Sequence, residues 1–249
     1  MNYLLIDIGN TRIKCSLSAD GKMSSPELFT YEKEMFRKHF RVLLNRYKGR
    51  FDEVYVSSLN KNFNKIIKTI ISDFKVRFII AKSSLPIRFD YAKTLGSDRI
   101  CSAVGAYSKY RKHRNILVID LGTATTFNII SNGIYRGGMI SAGIKTASEA
   151  LLKKTTLPNV VLNSRTNLVN RTTKSAVISG LILQQVFFIE KSIEEYRKLF
   201  ERLFVVITGG GSEIFGNKIK GVNKIELHLV LEGLNILATY NSKCNETIR

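Results

Sequence analysis

The sequence predicts an α/β protein built from a duplicated unit that forms two lobes. One pattern occurs twice, at residues 4–14 and 117–128: an apolar strand ends in Asp-x-Gly, and a second β-prone run follows. Two copies about half a chain apart are typical of a duplicated fold. Strands also alternate with helical segments, which favours parallel strands covered on both faces. We therefore expect an N-terminal lobe over residues 1–114 and a C-terminal lobe over residues 115–249.

The first Asp-Gly hairpin gathers groups that suit a phosphate and its metal ion. Three apolar residues lead into Asp7, and Gly9-Asn10 are residues that tolerate positive φ in a tight turn. A carboxylate, turn amides, a hydroxyl and two cations together suit a metal-bound phosphate, although the pattern is also ordinary in structural hairpins. The hydroxyl and cations are those of Thr11, Arg12 and Lys14.

Apolar periodicity and turn residues predict the other elements of the first lobe. Strands at 13–18 and 22–29, joined by Asp20-Gly21, extend the hairpin into a meander. Apolar residues at helical spacing predict a helix at 32–47. Shorter runs then predict a strand at 52–57, a helix at 62–72 and a strand at 76–80.

The connection between the lobes contains a turn with one acidic residue. Gly96-Ser97-Asp98 precedes a predicted helix at 100–112, and Ser97 or Asp98 is a suitable N-cap. From spacing alone, helix capping is the favoured role of Asp98.

The second lobe is predicted to begin with strands at 116–120 and 125–131. A small-residue turn at 141–144 brings backbone amides to a helix start, where they either approach an anion or allow close packing. A long helix follows, and Gly180 is expected to interrupt it mildly. The remaining predicted elements are a strand from 134, helices at 145–154, 174–202 and 230–240, a strand at 203–208 and a glycine run at 209–211.

Composition excludes several classes of protein. The chain has 249 residues, of which 44% are hydrophobic and only three are proline, so we expect an ordered core. Three cysteines and three histidines without metal-ligand spacing argue against a disulfide framework or a zinc site. No apolar run reaches the ~18 residues of a membrane span, and no signal-peptide pattern opens the chain. We expect a cytoplasmic protein with no membrane partner.

The net charge of +19 has two interpretations. A basic surface attracts nucleic acid or anionic metabolites, whereas biased lysine usage simply gives solvated helix faces. The basic residues are spread along the chain, and no helix-turn-helix or RNA-binding signature accompanies them. We favour solvated faces and do not expect nucleic acid as a partner.

A set of motifs in fixed order carries a family resemblance. The chain resembles type III pantothenate kinases, within the superfamily of actin and sugar kinases, over nearly its whole length. The resemblance implies a duplicated ribonuclease H-like (actin-like ATPase) fold with a nucleotide cleft between the lobes. The motifs are DIGNTRIK at 7–14, LGSDR at 95–99, LVIDLGTATT at 117–126, GGMISAGI at 137–144, TTxxAxxSG at 172–180, TGGG at 208–211 and LVLEGL at 229–234.

The resemblance implies transfer of the ATP γ-phosphate to the hydroxyl of pantothenate, the first step of coenzyme A biosynthesis. Asp98 corresponds to the catalytic base, and Asp120 to the ligand of a monovalent cation, K⁺ or NH₄⁺. Asp7 corresponds to the magnesium-binding carboxylate. The implied substrate contacts are Phe89, Gly96, Ser97, Asp98, Arg99 and Thr173. The implied ATP contacts are Asp7, Ile8, Gly9, Asn10, Thr11, Arg12, Ile13, Lys14 and Thr123.

The family resemblance also implies a homodimer with pantothenate bound near the interface. Residues 176–189 are too apolar around the helix circumference for one-sided exposure, so we expect them to be buried in the fold or against a partner. We further expect the Asp98 carboxylate to be exposed, with Arg99 keeping it ionised.

Two departures from the family pattern concern the substrate. Phe89 stands where many members have a substrate-contacting tyrosine, and Tyr91 is close enough in sequence to substitute for it. Ser97 replaces a frequent alanine. Neither change removes a group that phosphoryl transfer needs.

Three alternative functions stay open from the sequence. The family includes proteins named as transcriptional accessory factors, although intact Asp7, Asp98, Arg99 and Asp120 argue against a purely regulatory chain. A kinase for another small hydroxylated substrate is the second alternative, because of Phe89. The third is an ATPase switch without an acceptor.

Overall fold

A computed structural model describes residues 1–10, 12–58, 60–71, 75–78 and 86–246. The strands are β1 (Asn2–Ile8), β2 (Arg12–Ala19), β3 (Lys22–Met23), β4 (Glu27–Thr30), β5 (Glu53–Ser58), β6 (Lys75–Phe78), β7 (Arg88–Phe89), β8 (Asn115–Leu121), β9 (Ala124–Ser131), β10 (Ile134–Gly137), β11 (Ile140–Ala142), β12 (Leu203–Thr208) and β13 (Lys224–Ile225). The helices are α1 (Phe36–Tyr47), α2 (Lys61–Ile70), α3 (Ser97–Tyr110), α4 (Ile144–Lys154), α5 (Thr173–Leu199), α6 (Ser212–Phe215) and α7 (Leu229–Glu246), with a 3₁₀ turn at Gly216–Lys218.

The chain divides into two compact units, and the division corrects the predicted lobes. The first unit combines Met1–Lys109 with His228–Arg249, and the second is Tyr110–Leu227. The chain passes from the first unit to the second between Lys109 and Tyr110, close to the predicted boundary between 114 and 115. The C-terminal helix, however, belongs to the first unit because α7 packs on β1, β2 and β5. Its buried leucines complete the core of that unit, which sequence order alone does not reveal.

The first sheet has the order β3-β2-β1-β5-β6, and β4 also pairs with β2. β1 and β2 are antiparallel, whereas β1, β5 and β6 are parallel. One face carries alternate apolar residues such as Leu4, Ile6 and Val56, which are fully buried in a cluster with Phe36 of α1 and Phe63 of α2. The latter two rings stack 4.0 Å apart. The opposite face of the sheet carries Asp7. Helix α7 packs on β1, β2 and β5, and the Ser18 hydroxyl of β2 donates a hydrogen bond to Asn235 of α7.

The predicted strand at 22–29 is wrong because it forms two separate strands. β3 pairs with the end of β2, whereas β4 pairs with its beginning. Pro26 lies between them and has no N–H to donate to a strand partner. The Ser16 hydroxyl donates to the carbonyl of Ser24 at 2.7 Å and fixes the chain before the proline.

The second unit repeats the arrangement of the first. Its sheet has the order β13-β12-β8-β9-β10, with β11 paired to β9. β8 and β9 form an antiparallel hairpin and β12 is parallel to β8, as β5 is to β1. The duplicated α/β organisation predicted from the two Asp-Gly hairpins is therefore confirmed.

Helix α5 lies beside the second sheet and supplies its core with Ile182, Val186, Ile189 and Ile193. Gly180 does not interrupt it, contrary to the expectation. By length and composition alone α5 is the one helix among the described residues that could cross a membrane, and half of its most apolar 18-residue window is buried inside the unit. A core helix of a soluble protein has these same properties.

Candidate functional site

The first hairpin places a carboxylate directly opposite an ammonium group. Asp7 is the penultimate residue of β1, and its cross-strand partner on β2 is Lys14. Directly opposite residues project from the same face of the sheet. The turn is closed by the Gly9 N–H, which donates to the carbonyl of Arg12 at 3.0 Å. The Tyr31 hydroxyl donates to the Gly9 carbonyl at 2.6 Å, so the turn is also fixed from outside.

The reason for glycine in this turn differs from the expectation. Neither Gly9 nor Asn10 has a positive φ. A Cβ on Gly9 would lie 3.3 Å from the carbonyl oxygen of Arg12, so the glycine serves a close approach of the two backbone strands.

The other hairpin residues differ in what they can offer a ligand. Asn10 and Arg12 are exposed and Lys14 is half-buried, whereas Thr11 lies outside the described residues. The side chains of Ile8 and Ile13 are buried in the core, so these two can contact a ligand only through their backbone.

A polar row crosses the first sheet and leads to the start of α3. Asp7 pairs with Lys14 on one side and with Ser57 of β5 on the other. The buried Ser57 hydroxyl donates to the Ser97 hydroxyl at 3.2 Å. Ser57 is not among the predicted site residues, although the polar pair that ends this mostly apolar strand is a signal for it.

Asp7 and Asp98 share a buried neighbour. Burial raises the pKa of the Cys101 thiol well above its usual range, and the carboxylates of Asp7 and Asp98 raise it further. Both carboxylates therefore lie near this residue of α3.

Asp98 lies in the first turn of α3 and is half-buried, not exposed as expected. Desolvation raises the pKa of its carboxyl group, and this outweighs the opposing effects of the Arg99 N–H and the Arg99 guanidinium. The expected effect of Arg99 is present, because its N–H and its guanidinium both lower the pKa of Asp98, but it is smaller than the effect of burial. The Arg99 N–H donates to Asp98 Oδ1 at 2.8 Å. An ionised carboxylate has about four acceptor positions, so this bond leaves capacity for a substrate proton.

The other substrate candidates near Asp98 in sequence differ in their burial and contacts. Arg99 is only 7% exposed, and its Cζ lies 5.4 Å over the ring of Tyr91. Phe89 is half-buried at the end of β7. Gly96 accepts the N–H of Ile100 at 3.1 Å and so forms part of the first helical turn.

In the second unit, Asp120 lies in the position equivalent to Asp7. It is the penultimate residue of β8, with Thr126 of β9 and Thr208 of β12 as its two partners across the sheet. Gly209, with φ +87°, follows immediately, and a Cβ there would lie 2.3 Å from Asp120 Oδ1. Only glycine therefore fits against this carboxylate.

The second hairpin is held by the loop before α4. The exposed Thr123 accepts hydrogen bonds at its carbonyl from the Gly143 N–H at 3.0 Å and from the Thr146 hydroxyl at 2.7 Å. A Cβ on Gly143 would lie 2.2 Å from the carbonyl oxygen of Gly122, so the packing explanation for this glycine applies. Thr173 is the first residue of α5 and is exposed beside its N-cap, Thr172.

Comparisons with known proteins agree with this architecture. A family model described as type III pantothenate kinase matches residues 3–195. A type III pantothenate kinase from Flavobacterium johnsoniae is 32% identical over 244 residues, which cover 96% of this chain and 98% of the relative.

Two solved structures show the fold. A Campylobacter jejuni protein named as a Baf family transcriptional activator superposes with a TM-score of 0.65 at 19% identity, covering 96% of this chain and 99% of that one. A ROK family glucokinase from Streptomyces griseus, in complex with glucose and AMPPNP, has a TM-score of 0.57 at 11% identity over 96% and 100% of the two chains. At these identities the likeness concerns the fold alone, and it agrees with the predicted class of sugar kinases and actin-like ATPases.

Proposed function

Because the chain belongs to the type III pantothenate kinase family, and so phosphorylates pantothenate with ATP in coenzyme A biosynthesis, we propose that Asp98 is the general base of this transfer. The observation that carries the proposal is the half-buried carboxylate with a raised pKa, in the same unit as the Asp7–Lys14 pair. A carboxylate with a raised pKa is a stronger proton acceptor than an exposed aspartate. It can orient the pantothenate hydroxyl and take its proton as the new P–O bond forms.

Asp7, Lys14 and the turn of the first hairpin form the proposed phosphate site. Phosphoryl transfer depends on positioning and on neutralising the charge of the phosphate oxygens. Lys14 supplies a cation and the exposed turn supplies backbone N–H groups. The half-buried Asp7 carboxylate fits Mg²⁺, which is usually held by one or two carboxylates together with substrate phosphates. When bound there, Mg²⁺ would neutralise phosphate charge.

Asp120 is the proposed ligand of a monovalent cation. The carboxylate is flanked in the sheet by two threonines, whereas Asp7 is flanked by Lys14. Oxygen donors with a single negative charge suit a hard cation of low charge. We assign K⁺ or NH₄⁺ to this site and expect Thr123, on the same hairpin, to contact ATP.

We assign the substrate contacts to Arg99, Phe89, Gly96 and Ser97 and, as the family resemblance implies, to Thr173. We propose that the enzyme is a cytoplasmic homodimer. Support for the dimer comes from an exposed apolar face on α5, where Phe187 is 53% exposed and Phe188 is 38% exposed.

A coupled kinase assay with pantothenate, ATP, Mg²⁺ and K⁺ tests the proposal. Wild-type protein should form ADP only when pantothenate is present, and mass spectrometry should show one added phosphoryl group on the substrate. Equal ADP formation without pantothenate would indicate an ATPase switch. No turnover with pantothenate but turnover with another small alcohol would contradict the substrate assignment.

A further inference from the structure

The ring of Tyr91 lies against the cation that the proposed function assigns to substrate binding. Arg99 Cζ is 5.4 Å from the ring centroid, within the range of a cation–π interaction. Arg99 is buried while Tyr91 is 44% exposed, so the ring covers the guanidinium from the solvent side. The sequence suggested Tyr91 only as a substitute hydroxyl for the one that Phe89 lacks.

Contact with an aromatic ring constrains a guanidinium in a specific way. The N–H donors of a guanidinium lie in the plane of the group and form a fork. A ring 5.4 Å from Arg99 Cζ limits the orientations that this plane can take, and so limits where the fork of N–H donors, which matches a carboxylate bidentately, points.

Pantothenate carries one ionised group, a carboxylate, at the end opposite its reacting hydroxyl. We propose that Tyr91 is a positioning and specificity residue that holds the Arg99 guanidinium in the plane required to bind this carboxylate. The inference rests on the proposed function of Arg99 and adds a residue that the family motif does not contain. The aromatic ring, and not the phenol hydroxyl, is the active part of Tyr91.

Tyr91→Leu removes the ring and Tyr91→Phe retains it, so the pair isolates the ring's contribution. A cation–π contact at a partly exposed site is worth about 0.5–2 kcal/mol, which corresponds to about a two- to thirtyfold change. Tyr91→Leu should raise KM for pantothenate by about three- to tenfold with little change in KM for ATP. Tyr91→Phe should match the wild type. Phe78→Leu, which removes a ring 5.6 Å from Lys68 elsewhere in the unit, is the matched control and should leave both KM values unchanged.

The primary carboxamide of pantothenate provides the decisive comparison because it lacks the negative charge. Wild-type enzyme should prefer pantothenate over the carboxamide, and Tyr91→Leu should lose most of that preference. An equal rise in KM for both compounds would overturn the proposal, since the ring would then contribute to binding without affecting recognition of the carboxylate. An unchanged KM in Tyr91→Leu, or an impaired Tyr91→Phe, would also overturn it. If Tyr91→Leu does not fold, Tyr91→His is the variant to measure. It keeps a ring and should still prefer pantothenate over the carboxamide. A Tyr91→His enzyme without this preference would count against the proposal. Absence of wild-type turnover would instead contradict the proposed function.

Discussion

Asp7 on β1 and Lys14 on β2 lie directly opposite one another on the same face of the first sheet. The equivalent position in the second sheet pairs Asp120 with Thr126. The duplicated hairpins therefore place a lysine directly across the strand pair from one carboxylate and a threonine directly across from the other. The first arrangement suits a polyanion with its divalent metal, whereas the second offers oxygen ligands that suit a small cation.

Replacing Lys14 tests the first arrangement. Lys14→Met keeps the length of the side chain and removes the charge, so phosphate neutralisation in the transition state is lost. We expect kcat/KM for ATP to fall by about 10²–10³, the usual effect of removing one preorganised electrostatic group. Steady-state kinetics with varied ATP measure this. Lys22→Met removes an exposed charge from β3 of the same sheet and should have no effect. A Lys14→Met enzyme within twofold of the wild type would exclude the phosphate role.

Asp98→Asn should damage turnover without damaging the fold. General-base catalysis contributes about 10²–10⁴-fold, so kcat should fall in this range while ATP binding persists. The folded-state pKa of Asp98 is raised by desolvation, so the ionised carboxylate costs stability at neutral pH, and that cost disappears as the pH falls and the group is protonated. The variant should therefore unfold at the same temperature as the wild type or higher at neutral pH. This difference should shrink in acid.

The raised pKa also predicts the acid side of the pH–rate profile. A protonated Asp98 cannot accept the substrate proton, so kcat/KM should fall as the pH decreases through its pKa, at a higher pH than an ordinary aspartate would give. Asp98→Asn should lose this acid limb. A variant that unfolds, or that keeps a normal kcat, would leave Asp98 with a structural role in the first turn of α3.

The sequence predicted features that depend on local chain chemistry and missed those that depend on packing. The two hairpins and α5 follow from apolar periodicity and turn residues, so their positions agree within a few residues. The ionisation of Asp98 depends on what covers the start of α3, and no pattern near residue 98 contains that information. The same holds for the Ser57–Ser97 bond, which joins residues 40 positions apart. The placement of α7 in the first unit likewise depends on packing between residues far apart in the sequence.

Activity should depend on a monovalent cation through Asp120. K⁺ or NH₄⁺ should activate the wild type and Na⁺ should do so poorly, whereas Asp120→Asn should lose the activation because the carboxylate ligand is gone. Rates measured across a KCl titration at constant ionic strength test this. Full wild-type activity in buffer free of K⁺ and NH₄⁺ would contradict the proposed cation site at Asp120.

Gly209 should be required for the same carboxylate to keep its position. Gly209→Ala places a Cβ 2.3 Å from Asp120 Oδ1 and 2.8 Å from the Leu121 backbone, and φ at this residue is +87°. We expect a loss of about 1–3 kcal/mol in the free energy of unfolding, together with a higher KCl requirement. Gly210→Ala is the adjacent control, because a Cβ there meets no atom within 4 Å. Denaturant unfolding of both variants should separate them, and equal stabilities would contradict the proposed contact.

The exposed apolar face of α5 should be the interface of a homodimer. A groove of about 620 Å³ lies between the segment Asn167–Asn170 and α5. Leu168 is 84% exposed there and Phe187 is 53% exposed, and a Cβ on Gly180 would meet no atom within 4 Å. Large apolar side chains exposed around a groove are typical of an interaction site. Light scattering at micromolar concentration should therefore give about twice the chain mass of 28.2 kDa.

Phe187→Glu should dissociate this dimer because it places a charge in an apolar contact. Leu199→Glu is the matched control: this residue is also an apolar side chain on α5 and is 75% exposed, but it does not line the groove. It should leave the mass unchanged. If pantothenate binds near the interface, as the family resemblance implies, Phe187→Glu should also raise KM for pantothenate more than KM for ATP. A wild-type enzyme that is monomeric and fully active would defeat the prediction, and so would a Phe187→Glu variant that remains dimeric, since the interface would then lie on another face.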